Sequence, residues 1–588
     1  MKHFLVPVAL ASALAVSSCQ DPDLCSTMDD VVFKKYCLEN FDTNRDGKLY
    51  QEEANAVHNI DVTGLEVVSL KGIENFTNLK FLKAANCDKL RKVVIPNSVT
   101  SIEEYAFYGC ESMESITIPH SVTHIERNAF YGCTGELRLN CDIPQPDYIS
   151  DGYTGVFENS DFTSVIIGNN VKSMGCFTFS GSYSLETVTI GKNIKEIGYG
   201  AFKQCENLRS VTIHNGITKI TDCAFEGCWS LESITIPNGV TYIGNYAFAR
   251  CSSLESITIP SSVTEIGSHA FMECEGLTSV HISDLSAWCK INFDSEDSTC
   301  RPLYYAKNLY LNGKLVTNLT IPSGITEIKT STFYNCESLT SVTIPDSVTE
   351  IGWGAFIGCK NIEKFNGKFA SEDGRSLIKD GVLLYVAGSG LTEYTIPNSV
   401  TKIGSRALSG CDSSASIRIP ETVTEFDWGA LGGFPGELII NCNIPSLDKY
   451  DSPFCRMDCR SVIIGDNVTS IGKFAFMECK NLQNITIPDS VTEVGALAFY
   501  DCDELESVTI GENVTQVGGA AFYDCFDLKQ IYCKATTPPE YYYWTVGGYY
   551  GRSYKIADSR ATIYVPRESV EAYKATAWGD HTIEPYDF

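Results

Sequence analysis

CSSLESITIPSSVTEIGSHAFMEC, from Cys251 to Cys274, is one unit of a text that recurs along most of this chain, and its stamp is cysteine at fixed spacing. Cys205, Cys228, Cys251 and Cys274 are each 23 residues apart, as are Cys87, Cys110 and Cys133, then Cys336 and Cys359, then Cys479, Cys502 and Cys525. A fixed period of this length indicates a solenoid, in which a small unit buries its apolar face only against its neighbours. Within the unit, Ile257 and Ile259 alternate with Ser256 and Thr258, which predicts a strand with one buried face. Pro260 closes it, lacking the N–H that a ladder needs. Val263 and Ile266 form a second apolar pair in a short extended segment. Ala270, Phe271 and Cys274 lie three to four apart, fitting one helical turn that fills the core with Phe. Fixing the backbone costs roughly 1–2 kcal/mol per residue, so one unit cannot stand alone.

Thirteen of the 25 cysteines, the twelve above and Cys411, share one repeat position. Stacked strands lie about 4.8 Å apart, a separation that disulfide geometry tolerates. Parallel side chains do not point at one another, however, so the expectation is a ladder of buried thiols packing as small hydrophobes.

The unit L-x-S-[I/V]-T-I-P, turn, V-T-x-I-G, x-x-A-F-x-x-C resembles the BspA-like leucine-rich repeat family of bacterial surface proteins, nearly verbatim at Ile236–Ile259 and Ile344–Ile351. The resemblance runs from about Leu65 to the C-terminus. It implies a β-rich solenoid of leucine-rich repeats without enzymatic activity, and adhesion to host or extracellular-matrix proteins or to other cells. The sequence divides into a leader over 1–19, a tether and helix-loop-helix over 20–60, the solenoid over 61–536, and a terminal loop and cap over 537–588. Inserts interrupt the period near 140–164, 284–318, 365–391 and 441–460. Glu136–Pro144 and Glu437–Pro445 carry related text, suggesting partial internal duplication. A cap is physically required, because a bare last repeat would expose core and an edge strand.

The leader has Lys2 and His3, an apolar run from Phe4 to Val16, then small residues, the pattern of an export signal too short to span a bilayer. Val16-Ser17-Ser18-Cys19 resembles a lipobox, which implies acylation of Cys19 and anchoring at the outer membrane or cell surface. The competing reading is a plain secretory signal cut after Ala13 or Ala15. The net charge of −28 argues against nucleic acid and against docking on anionic lipid. A monomer is expected.

The strongest chemical signal is Asp42-Thr43-Asn44-Arg45-Asp46-Gly47 with Glu53, which satisfies the EF-hand pattern D-x-[DN]-x-[DN]-G-x₅-E. Calcium takes several oxygens, and this spacing offers them from the side chains of Asp42, Asn44 and Asp46, the carbonyl of Lys48, Tyr50 through its carbonyl or a water, and both oxygens of Glu53. Gly47 permits the sharp turn and Leu49 is the apolar eighth residue. EF-hands usually pair, and Asp147-x-Ile149-x-Asp151-Gly152 is a poor second, because Ile149 cannot be a ligand. One Ca2+ site acting as a structural clip is therefore expected. No G-x-S-x-G, H-E-x-x-H or Walker loop is present. His120 and His124 flank a turn and read as solvated. Two partner classes remain: an extracellular or host protein, and, as the alternative, a surface glycan, hinted at by Trp288, Trp544 and Trp578. Rows of Thr (Thr212, Thr235, Thr258 and Thr218, Thr241, Thr264) read as exposed strand residues.

Overall fold

The computed structural model describes residues 22–143, 155–294, 301–446, 454, 457–459, 461–542, 556–557 and 560–588. The chain forms two compact units, residues 1–231 and 232–588.

The first unit begins with helix α1 (Val31–Phe41) and helix α2 (Gln51–Asn55). Strands then succeed one another once per repeat: Lys92–Val94, Ser115–Ile118, Thr134–Leu139, Asp161–Ile167, Thr187–Thr189 and Ser210–Thr212, each parallel to the next. Lys92 pairs with Ser115 and Val93 with Ile116, so a step of 23 residues is one step across the sheet. A second, shorter row carries the V-T-x-I segment, as where Ser101–Ile102 pairs with His124–Ile125 and Glu196–Ile197 with Lys219–Ile220. The fold is thus the leucine-rich repeat solenoid expected from the period, with a helical segment at its start.

The second unit repeats the design. Strands Ser256–Ile259, Ser279–Ile282 and Leu309–Leu311 run parallel in one sheet. A nine-stranded sheet extends from Glu393–Thr395 to Thr582–Tyr586. The insert after Ile282 carries α3 (Leu285–Lys290) and α4 (Pro302–Ala306), which bury Trp288 and Leu303. The insert after Gly367 folds as an antiparallel hairpin, Ser376–Lys379 against Val382–Val386. After the last full repeat, α5 (Val570–Lys574) buries Tyr573, whose hydroxyl donates to the Ala535 carbonyl at 2.7 Å.

The core is a set of columns. Phe179 stacks on Phe202 with centroids 5.5 Å apart and planes 2° from parallel, and Phe202 stacks on Phe225 at 5.5 Å. Phe333–Phe356 and Phe499–Phe522 repeat this in the second unit. Each fully buried Phe, Ile or Leu contributes about 1.5–3 kcal/mol. All thirteen repeat cysteines are buried free thiols.

The polar letters of the repeat form columns too. Ser121 and Ser490 donate to the Val99 and Val468 carbonyls of the preceding turn at 2.9 and 2.8 Å. Thr264 donates to the Thr241 carbonyl at 3.2 Å and Thr515 to that of Thr492 at 3.1 Å. Cys133, Cys228 and Cys525 donate through Sγ to the carbonyls of Phe107, Phe202 and Phe499 at 3.0–3.1 Å. The Ser bonds give the Val99 and Val468 carbonyls a partner, whereas the Thr241, Thr492 and Phe202 carbonyls also accept from main-chain N–H groups and gain a second donor. Burial pushes the Cys228 thiol well up, and those of Cys141 and Cys274 to about 12, so these three stay protonated at neutral pH.

The A-F-x-x-C segment is a run of i→i+3 turns, as where the Cys251 N–H donates to the Phe248 carbonyl at 3.2 Å. A left-handed residue precedes Ala in each turn: Tyr105 (φ 58°), Asn128 (φ 55°), His269 (φ 58°) and Leu497 (φ 56°). A second precedes Cys, as at Gln204 (φ 59°) and Asp501 (φ 60°). Such residues stop a right-handed helix, which is why the segment remains a single tight corner.

Candidate functional site

The loop expected to be an EF-hand, which begins at Asp42, lies between α1 and α2. Asp30 caps α1: its Oδ1 accepts from the Val32 and Phe33 N–H groups at 2.8 Å each. Phe41 is the last helical residue, and its ring meets Phe76 edge-on at 5.7 Å, fixing the helix against the first repeats.

From Asp42 onward the oxygens turn inward to the loop's own amides. Asp42 accepts from the Arg45 and Gly47 N–H groups at 2.6 and 2.8 Å. Asn44 Oδ1 accepts from the Asp46 N–H at 2.8 Å and Asp46 Oδ1 from the Lys48 N–H at 2.9 Å. Gly47 has φ 82°, and Arg45 φ 63°. Glu53, in the first turn of α2, reaches back: Oε1 accepts from the Thr43 N–H and hydroxyl at 2.8 Å each, and Oε2 from the Tyr50 N–H at 3.0 Å. Its slight burial opposes ionisation, but these donors win and hold its carboxyl below the usual range. The structure therefore brings Asp42, Asn44, Asp46, Lys48, Tyr50 and Glu53 into one loop, and the set is all oxygen, the chemistry a hard cation takes. Among the described residues no three His, Cys, Asp or Glu side chains converge to hold a metal by themselves. That includes Asp42, Asp46 and Glu53, whose carboxylates are held by the loop's own amides.

Leu49 is fully buried, and its main chain is paired: the Leu24 N–H donates to its carbonyl at 2.8 Å, and its own N–H donates to Asp23 Oδ1 at 3.1 Å. The segment before α1 thus lies where a second loop would pair. The other oxygen of Asp30 accepts from the Val68 and Ser69 N–H groups at 2.6 and 3.2 Å, tying the helical segment to the free edge of the early repeats. The sequence reading missed Asp23 and Asp30. Asp30 just before the apolar Val31-Val32-Phe33 run is an N-cap signal, whereas nothing in the text links it to residues 68 and 69.

Cys19, with the whole leader, lies outside the described residues, as do Asp147, Ile149, Asp151, Gly152 and Trp544. Two of the three tryptophans proposed as a glycan hint must be corrected. Trp288 is 2% exposed and its Nε1–H donates to the Thr332 carbonyl at 3.2 Å; Trp578 is fully buried and donates to the Pro539 carbonyl at 2.9 Å. Both bury an amphipathic ring in the core and satisfy its single donor. The exposed tryptophans are others: Trp229, Trp353 and Trp428, at 50, 42 and 57%. In the second of the Thr rows the hydroxyls of Thr218 and Thr264 are spent on carbonyls of the preceding turn.

The BspA type Leucine rich repeat region model matches in six copies, over residues 77–151, 147–278, 306–433, 384–452 and 448–540. No curated protein matches. Among solved structures the chain is similar to a leucine-rich repeat protein from Bacteroides ovatus (22% identity, 77% of this chain and 92% of that one, TM-score 0.33). It is also similar to a leucine rich cell surface protein from Faecalibacterium prausnitzii (23% identity, 76% and 91% covered, TM-score 0.31). The pneumococcal vaccine antigen PcpA is a third (16% identity, 84% and 94% covered, TM-score 0.30). The chain belongs to the BspA-type leucine-rich repeat family.

Proposed function

We propose that this is a non-enzymatic recognition protein, exported and held at the cell surface by a lipid on Cys19, that engages an extracellular or host protein as a monomer. The observation that carries this reading is the display of Trp229, Trp353 and Trp428, about half exposed at turn positions where most other repeats hold small, polar or charged residues and where Tyr199 and Phe526 are likewise exposed. Trp and Tyr dominate the energetics of protein interfaces, and the core is complete without these three rings. No helix among the described residues is long and apolar enough to cross a membrane, so the anchor would be the lipid. Surface plasmon resonance against immobilised extracellular-matrix proteins tests the reading. Trp353→Ala combined with Trp428→Ala should weaken binding about tenfold or more, worth at least about 1.4 kcal/mol, with melting unchanged. Equal binding by the double variant would sink it.

The loop at Asp42–Glu53 is the calcium site in this reading, held by Asp42, Asn44, Asp46, Lys48, Tyr50 and Glu53. Its pairing with Asp23 and Leu24, in place of a second loop, supports a clip that stiffens the start of the solenoid rather than a sensor. Calcium should raise the melting temperature by mass action on the folded state. An absent shift, or an equal shift in Asp42→Ala, would remove the site. Replacing Cys19 by Ser should abolish incorporation of a labelled fatty acid.

A further inference from the structure

We propose that a groove on the first unit binds a neutral carbohydrate, through residues none of which belongs to the loop or to the tryptophan display. Three grooves on the described surface can be compared. In one, of about 460 Å³, Lys307 pairs with Glu337 at 3.4 Å and Asn361 donates to the Glu337 carbonyl at 2.8 Å. In the second, of about 310 Å³, Asn443 accepts from the Thr469 N–H at 2.7 Å and Glu493 from the Tyr542 hydroxyl at 3.0 Å. Their polar groups are largely committed to the fold. In the third, of about 510 Å³, Thr77 and Ser98 donate to Asn55 Oδ1 and the Phe76 carbonyl, but Asn97, Thr117, His120 and Asn170 have side chains that make no hydrogen bond to any described residue.

Its chemistry selects the ligand. Carboxamide, hydroxyl and imidazole groups together both donate and accept, as sugar hydroxyls do. The lining holds no Lys or Arg, and its one carboxylate, Glu74, already accepts from the Gly72 N–H at 2.9 Å, so neither an anion nor a cation is favoured. Val94, 55% exposed, supplies an apolar contact for the C–H face of a sugar ring, while Pro96 and Pro119 are buried in the groove wall. Pro96 and Pro119 are equivalent residues of successive turns, and so are Asn97 and His120, 23 residues apart. Adjacent strands lie about 4.8 Å apart, so these groups recur along the groove at roughly the spacing of linked sugar rings.

The inference stands apart from protein recognition, and its test can fail without touching that reading. Cellohexaose, laminarihexaose, maltohexaose and mannohexaose, with sialyllactose as the charged comparison, are titrated into the full chain by isothermal calorimetry. At least one neutral hexasaccharide should bind. Asn97→Ala and Asn170→Ala should each weaken it about tenfold at unchanged melting temperature, while Trp353→Ala should not. Binding by none of the four, equal binding by the Asn97→Ala/Asn170→Ala double variant, or preference for sialyllactose would overturn the proposal.

Discussion

The turn closed by Cys228 and the turn closed by Ser182 differ in the residue whose regularity dominates the sequence, yet they make the same bond. Cys228 Sγ donates to the Phe202 carbonyl at 3.1 Å, and Ser182 Oγ donates to the Phe157 carbonyl at 3.1 Å. Both residues are buried. The position therefore selects a small buried donor rather than a thiol as such. Cysteine prevails because it meets that need while adding apolar surface, which a hydroxyl does not.

The largest effect that separates the two kinds of turn is collective. Burial pushes the ladder thiols of Cys87, Cys274 and Cys411 up to about 12 from 9.0. Above about pH 9 the unfolded chain binds fewer protons than the folded one, so stability falls as pH rises from 9 towards 12. Urea midpoints measured across that window should decline, and replacing several ladder cysteines by serine should flatten the decline. A flat profile in the native chain would break the comparison.

A single-site effect comes next. Phe202→Ala opens the column between Phe179 and Phe225 and should cost about 3–5 kcal/mol by urea denaturation. Cys228→Val then isolates the donor: it keeps the apolar volume but removes one of the two donors to the Phe202 carbonyl, which the Cys205 N–H still reaches at 3.3 Å, at about 0.5–1.5 kcal/mol. Cys228→Ser should cost less than Cys228→Val, and Ser182→Ala should fall in the range of the valine variant. If serine proves the worse replacement at Cys228, packing rather than the bond governs the position. The smallest effect lies outside the ladder. Glu53 has a lowered carboxyl, so its contribution is present above the unfolded carboxylate range and is lost as pH falls through its folded value. Melting in acid should show a shallow extra loss that Glu53→Gln removes.

The period and the alternation at Ile257 and Ile259 were legible because each is written in side-chain identity at short range. The left-handed corners were not. Tyr105, His269 and Leu497 occupy them without the glycine that signals such a conformation. The donors of the ladder were visible as letters, but their acceptors are main-chain oxygens of another turn, which no residue type announces. Trp288 and Trp578 misled for a related reason: an indole in an irregular stretch reads as surface, whereas here each fills a gap in the core and donates inward. Asp30 was passed over because two of its four bonds go to amides nearly forty positions away, at Val68 and Ser69.

The ladder's acceptors have one further consequence. Because Ser121, Thr264 and Cys228 each address the backbone of the neighbouring turn, a turn does not depend on which side chains its neighbour presents at those points. Whole turns can be copied, lost or exchanged by recombination without rewriting the junction. The related texts at Glu136–Pro144 and Glu437–Pro445 look like the product of such an exchange. They keep the same contact, with the Asn140 and Asn441 carboxamides lying against Gly168 and Gly465. A lineage can thus lengthen this protein, and move its exposed aromatics to new heights, by slippage of the gene alone.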